Sequence, residues 1–235
     1  MTDAFESVRL RRSSTAEQVS ELITQMIIEG RLKAGSPLRE SKLSEALGVS
    51  RNSIREALRL LEQGRLVTYV VHRGAIVNSP SAEELRDLYE ARAVLECGAI
   101  SPSISDDDIE QMRQAYERLE DESRGGDYQK IVAADLAFHR TIVGFHHNDR
   151  LNAFFNELEK EMFYYFSMLS WVDEQYKRAE ETISSEHRGI FEAIAEREFD
   201  RARELVQNHI GKNCSRLEEI LILRLAQQAQ DQEPG

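Results

Sequence analysis

The stretch Lys42–Leu66, KLSEALGVSRNSIREALRLLEQGRL, decides how the chain is read. It divides into two short helices around a tight turn. The first spans Ser41 to Leu47 and sets Leu43, Ala46 and Leu47 on one face. Gly48 follows; without a Cβ it adopts at little cost the left-handed conformation that ends a helix. Val49 is a lone apolar residue suited to plug the gap between the helices. Ser50 is placed to cap the second helix by accepting from the backbone N–H near Ser53. That helix carries Ile54, Ala57, Leu58 and Leu61 at helical spacing, a stripe to be buried. Its other face presents Arg51, Asn52, Arg55 and Arg59. An apolar seam beneath a first turn rich in Arg, Asn and Ser suits a helix that enters a DNA major groove. A plain helical hairpin with a solvated basic face fits the same spacing.

The flanks favour the DNA reading. Residues 1–12 lack clear periodicity and contain Arg9, Arg11 and Arg12; they form either a flexible basic arm that meets phosphate or a simple disordered end. Ser14-x-x-Glu17 makes a capping box, and the helix behind it carries Val19, Leu22, Ile23, Met26 and Ile27. Ala34–Pro37 is a loop that delivers Leu38 to the core. Downstream, Leu66–Val71 is β-branched and aromatic, His72-Arg73-Gly74 is a turn, and Ala75–Val77 is a second strand. A two-stranded ribbon after a recognition helix is a wing, with Arg73 at its tip suited to a narrow minor groove. The expected DNA contacts are Arg39, Lys42, Ser50, Arg51, Asn52, Arg55, Arg73 and Gly74.

Charge separates this front from the rest. The 235 residues carry a net charge of −12, which looks wrong for a DNA binder. Residues 1–78, however, hold 12 Lys and Arg against 9 Asp and Glu, or +3; residues 79–235 hold 18 against 33, or −15. An acidic remainder repels DNA and leaves contact to the front. The chain is therefore divided into an arm (1–14), a winged helix-turn-helix domain (15–78), a linker (79–83), a helical domain (84–226) and a tail (227–235). Helices are expected over about 82–101, 105–123, 127–146, 149–172, 174–196 and 198–226, joined by short links and so packed as an antiparallel bundle. The fold class is mainly α. Two distant cysteines without a CxxC, a polar start and no apolar run of about 18 residues point to a cytoplasmic protein without a membrane span.

The helical part holds the candidate chemistry. Asp135 and His139 are four apart on one helical face, among Ile131, Val132, Leu136, Phe138 and Ile142. His187 borders Ile183, Ile190 and Ile194, and His209 sits between Val206 and Ile210. One carboxylate and three imidazoles suit a borderline divalent ion, Zn²⁺ first, with Ni²⁺ or Mn²⁺ as alternatives. Separate, hydrogen-bonded helix histidines are the competing reading. Arg92 and Glu96, four apart near Tyr89, either face the same cavity, where Arg92 grips a carboxylate, or form a surface ion pair. Asn213, one turn after His209, is placed to touch a metal-bound ligand or water. His146 and His147 read as solvated caps at a helix end. Tyr164, Tyr165, Met168 and Trp171 read as core rather than pocket wall.

Taken together, these motifs resemble the GntR family of bacterial transcription regulators, in its FadR-type branch with an all-helical FCD ligand-binding domain. The resemblance spans about residues 15–225. It rests on LGVSRNSIREALRLLEQGRLV and HRGAIV in front, and behind on DLYEARAVLE (87–96), DLAFHRTIVGFHHNDRL (135–151), EHRGIFEAI (186–194) and the helix around His209. It implies DNA contact by Arg51 and Arg55, a wing-tip role for Gly74, metal binding by Asp135, His139, His187 and His209, and a ligand-lining role for Arg92. Two positions depart from the family. Ser41 stands where Arg is common, so one backbone contact is expected to be missing, and Ser53 stands where Pro is common, which the first helical turn tolerates. The expected function is a homodimeric repressor that reads an inverted repeat and responds to a small organic acid. A metalloenzyme with a DNA-binding appendage, or a sensor of the metal itself, uses the same ligands.

Overall fold

The computed structural model describes residues 14–28, 31–79, 81–125, 127–169 and 180–230. The arm before Ser14, the break near Asp173, Trp171 and the last five residues lie outside the described residues, as do the side chains of Tyr164 and Met168. The chain forms two units, Met1–Ser79 and Pro80–Gly235.

The first unit is built from α1 (Thr15–Ile28), α2 (Glu40–Leu47), α3 (Arg51–Gln63), β1 (Val67–Val70) and β2 (Gly74–Val77). The expected capping box opens α1: Ser14 N–H donates to Glu17 Oε2 at 2.6 Å and Glu17 N–H to Ser14 Oγ at 3.1 Å. The buried stripe of α1 is Ala16, Val19, Ile23 and Ile27; Leu22, expected inside, is 43% exposed at its edge. Gly48 ends α2 with φ +65°, and Ser50 caps α3 through Ser53 N–H at 3.1 Å. The α3 stripe Ile54, Ala57, Leu58 and Leu61 is buried as expected. Of the apolar face expected on α2, Leu43 and Leu47 are half-buried and Ala46 is exposed. None of its residues is fully buried, and the helix packs against α3.

β1 and β2 pair antiparallel, with Val67 opposite Val77 and Val70 opposite Gly74. Gly74 opens β2 at φ +77°, a conformation L side chains rarely adopt. The loop before Leu38 does more than deliver that residue. Gly35 N–H and Leu38 N–H donate to Val77 and Ala75 carbonyls, and Pro37 bridges Ile76, so the loop lines the outer edge of β2.

The second unit contains α4 (Ala82–Ala99), α5 (Asp106–Gly125), α6 (Tyr128–Gly144), α7 (Asp149–Leu169), α8 (Glu180–Ala195) and α9 (Phe199–Gln230). α4 begins at Ala82, the expected start, where Ser81 and Glu84 form a capping box. α9 runs past the expected end at 226. Arg86 pairs with Glu218 and Cys97 Sγ meets the Arg203 carbonyl, so α4 and α9 lie antiparallel along their length. One core joins all six helices, with Phe138, Ile142, Phe155, Met162, Tyr165 and Ile194 among its most buried members. His146 and His147 are not simple solvated caps. His146 Nε2 lies 2.9 Å from the Leu95 carbonyl and His147 Nε2 lies 3.1 Å from Asp108 Oδ2, tying the end of α6 to α4 and α5.

Candidate functional site

The centre of the second unit is polar. α6 carries Asp135 and His139, α8 carries His187 and α9 carries His209; one ligand atom from each lies within 4.8 Å of all the others. The three histidines are buried. His187 Nε2 stands 3.3 Å from His139 Nε2 and 2.9 Å from Asp135 Oδ1. Two donors on one ion with bonds of ~2.1 Å lie about 3.0–3.4 Å apart, so these separations fit a shared ion. The His139 and His209 rings stack with centroids 5.0 Å apart, and Phe138 packs edge-on against His187 at 4.8 Å.

Two carboxylates hold the far sides of the rings. Glu96 Oε2 lies 2.6 Å from His139 Nδ1, and Glu186 Oε2 lies 2.9 Å from His209 Nδ1. A carboxylate at Nδ1 favours the Nδ1–H tautomer and leaves the Nε2 lone pair for a metal. Burial lowers both His139 and His209 from the ordinary histidine value, which favours the neutral, ligating form. Burial alone would raise the Asp135 carboxyl. The hydrogen bond and charge of His187, with His139 and Arg92, outweigh it and hold that carboxyl well below its usual range. The donor set therefore fits a divalent ion: one carboxylate, three imidazoles and two carboxylates behind them.

Arg92 and Glu96 are not a surface pair. Both are wholly buried on α4, and Arg92 Nε donates to Glu96 Oε1 at 2.6 Å. Burial opposes the Arg92 charge, but Glu96, Tyr89 and Asp135 more than compensate and its guanidinium is held firmly protonated. Burial raises the Glu96 carboxyl, against the pull of Arg92. Arg92 Nη1 and Nη2 have no hydrogen-bond partner among the described residues. The guanidinium carbon sits 5.5 Å from the centroid of the buried Tyr89 ring. Glu96, expected to touch the effector, has one oxygen on Arg92 and the other on His139. Asn213 Nδ2 lies 3.0 Å from His209 Nε2. Glu186 was not singled out from the sequence; it precedes His187 directly, and only the packing of α8 on α9 brings it to His209 and to Lys212 Nζ at 2.8 Å.

In the first unit, the expected DNA-contact residues Arg39, Lys42, Ser50, Arg51, Asn52, Arg55, Arg73 and Gly74 are all exposed. Ser50 is committed locally, since its hydroxyl accepts from Ser53 N–H and shares a hydrogen bond with Ser53 Oγ at 3.0 Å. Arg55 is paired. Its Nη2 and Nε meet Glu40 Oε2 at 3.0 Å and Oε1 at 3.4 Å, which aligns the guanidinium between α2 and α3. Sequence reading missed Glu40, since the pair spans 15 residues.

A helix-turn-helix with a ribbon wing, on a chain whose other unit is built from helices among the described residues, defines a class of DNA-binding regulators. Residues 15–77 match the model for bacterial regulatory proteins of the gntR family, and residues 87–212 match the FCD domain. The chain is 30% identical over 203 residues to the uncharacterized HTH-type transcriptional regulator YdhC of Bacillus subtilis (strain 168), covering 85% of this chain and 89% of that protein. It is 30% identical over 207 residues to the probable D-xylose utilization operon transcriptional repressor of Paenarthrobacter nicotinovorans, covering 87% and 89%. The crystal structure of a GntR transcriptional regulator from Rhodococcus sp. RHA1 has the same fold, with a TM-score of 0.71, 24% identity, and 86% and 96% of the two chains covered. The chain belongs to the GntR family of bacterial transcription regulators, with an FCD domain behind the winged head. It is a DNA-binding transcriptional regulator, and the family and its relatives are regulators rather than enzymes. Among the described residues, no helix is long and apolar enough to cross a membrane.

Proposed function

We propose that this regulator is a homodimeric repressor of an inverted-repeat operator, released by a small organic acid that binds at a divalent metal in the helical unit. Asp135, His139, His187 and His209 would hold the metal, Zn²⁺ first. When bound, the ion supplies positive charge and open coordination positions. The observation that carries the reading is Arg92, buried beside these ligands with Nη1 and Nη2 unpartnered among the described residues. Leaving such donors unmet costs on the order of 1–3 kcal/mol or more, and a carboxylate meets both at once. Charge supports the same ligand class. With the histidines ligating as neutral imidazoles, Arg92 and Lys212 against Glu96, Asp135 and Glu186 leave −1; a divalent ion turns this to +1, which a single carboxylate neutralises. Asn213, now on the His209 lone pair, would be displaced by the ion and turned toward what the ion holds. The repressor sign follows the relative named for a D-xylose utilization operon.

The test is elemental analysis of wild type and His187→Ala, followed by a thermal-shift screen of carboxylic acids on metal-loaded and chelator-stripped protein. Wild type should carry metal and the variant should lose it. At least one acid should raise the Tm only when metal is present, by about 2.7 kcal/mol in stability at a hundredfold excess over Kd. Equal metal content in both proteins, or no acid that acts through the metal, overturns the reading.

A further inference from the structure

Glu96 hydrogen-bonds to both halves of the proposed site. Oε1 accepts from Arg92 Nε at 2.6 Å, and Oε2 lies 2.6 Å from His139 Nδ1. All three side chains are wholly buried, so neither donor has water to fall back on. The donors come from different elements, Arg92 from α4 and His139 from α6. Each Glu96 oxygen therefore already faces a donor of its own.

We propose that Glu96 is a positioning residue that couples metal to anion: it fixes His139 with Nε2 toward the metal and fixes Arg92 with Nη1 and Nη2 toward the acid. This rests on the metal and acid reading above and assigns the link within it. The physical reason is acceptor number. A carboxylate offers an oxygen to each of two N–H donors, whereas the amide of Gln offers only one oxygen. In Glu96→Gln, Arg92 Nε and His139 Nδ1–H compete for that oxygen. If Arg92 takes it, the amide NH₂ faces His139 Nδ1, which must become an acceptor. The ring proton then moves to Nε2 and blocks the lone pair that ligates. Glu186 is the natural control, since it holds His209 Nδ1 in the same way but pairs with Lys212 rather than Arg92.

The experiment measures Zn²⁺ affinity of the full chain by competition with a chromophoric chelator, with circular dichroism to confirm helical content. Glu96→Gln and Glu186→Gln should each weaken Zn²⁺ by about 10–100-fold, the usual effect of losing a carboxylate behind a ligating histidine. Adding Arg92→Met should recover at least about fivefold in the Glu96→Gln background, because the amide oxygen is released to His139. It should recover less than twofold in the Glu186→Gln background. Equal recovery in both backgrounds would mean that Arg92 acts only by charge repulsion, and overturns the shared-acceptor link. Wild-type affinity in folded Glu96→Gln overturns it as well. Wild type that binds no Zn²⁺ overturns the metal reading itself, and this inference with it.

Discussion

The two units treat polar groups in opposite ways. The winged unit keeps its core apolar and sets its arginines on short exposed elements; Arg51, Arg55 and Arg73 all face solvent. The helical unit does the reverse, enclosing an arginine, a glutamate and three histidines at the centre of a hydrophobic bundle. An exposed polar group contributes little to folding and is free to meet a partner. A buried one must be met inside the protein or by a bound ligand. The winged unit thus presents its polar groups at the surface of a DNA-binding domain, and the helical unit encloses polar groups that the proposed ion and acid would meet.

The largest expected effect lies in the buried region. Phe138 is fully buried and braces His187 edge-on. Phe138→Ala should cost about 3–5 kcal/mol in urea denaturation of the helical unit. An unchanged midpoint would mean that the polar centre does not depend on its apolar frame.

A smaller effect, of a different kind, is expected outside. Arg55→Ala should weaken duplex DNA binding by about 1–3 kcal/mol and flatten its salt dependence. Folding should change by no more than about 1 kcal/mol, because the Glu40 partner is a half-exposed ion pair. Fluorescence anisotropy across a salt series reads the first quantity and thermal denaturation the second. A large stability loss with unaltered DNA affinity would erase the contrast between the units.

The smallest effect tests a buried carboxylate away from the proposed metal. Asp108 accepts from Ser105 N–H at 2.9 Å and from its hydroxyl at 2.7 Å, and pairs with His147. Burial would raise its carboxyl, but these bonds prevail and hold it below the ordinary 3.8. A lowered folded value stabilises above the ordinary value and is lost as pH falls through the folded one. Asp108→Asn should therefore cost roughly 1 kcal/mol at neutral pH, with the gap to wild type closing as the pH drops below about 4. A gap that persists in acid would assign the effect to packing instead of charge.

Much of the winged unit was legible because its signals are local. The Ser14–Glu17 box, Gly48, the Ser50 cap and the Ile54–Leu61 stripe each act within a few residues. The limits of local reading show in α2, where Ala46 has the right spacing for burial but nothing covers it. In the helical unit, the i, i+4 spacing placed Asp135 beside His139 and Arg92 beside Glu96. It left open whether the second pair was surface or core. The hydrogen bonds of His146 and His147 to α4 and α5 carried no signal in sequence.

By itself, the sequence determined the two-part organisation, the winged motif and the helices that carry the candidate ligands. Periodicity, caps and turn residues are set by neighbours in the chain. Only the tertiary structure decided that Asp135, His139, His187 and His209 converge, that Glu96 faces both Arg92 and His139, and that Glu40 and Glu186 hold Arg55 and His209. Those outcomes depend on which helix faces meet and at what height, and side chains 15 to 74 residues apart, as from Asp135 to His209, acquire that relation only when the helices pack.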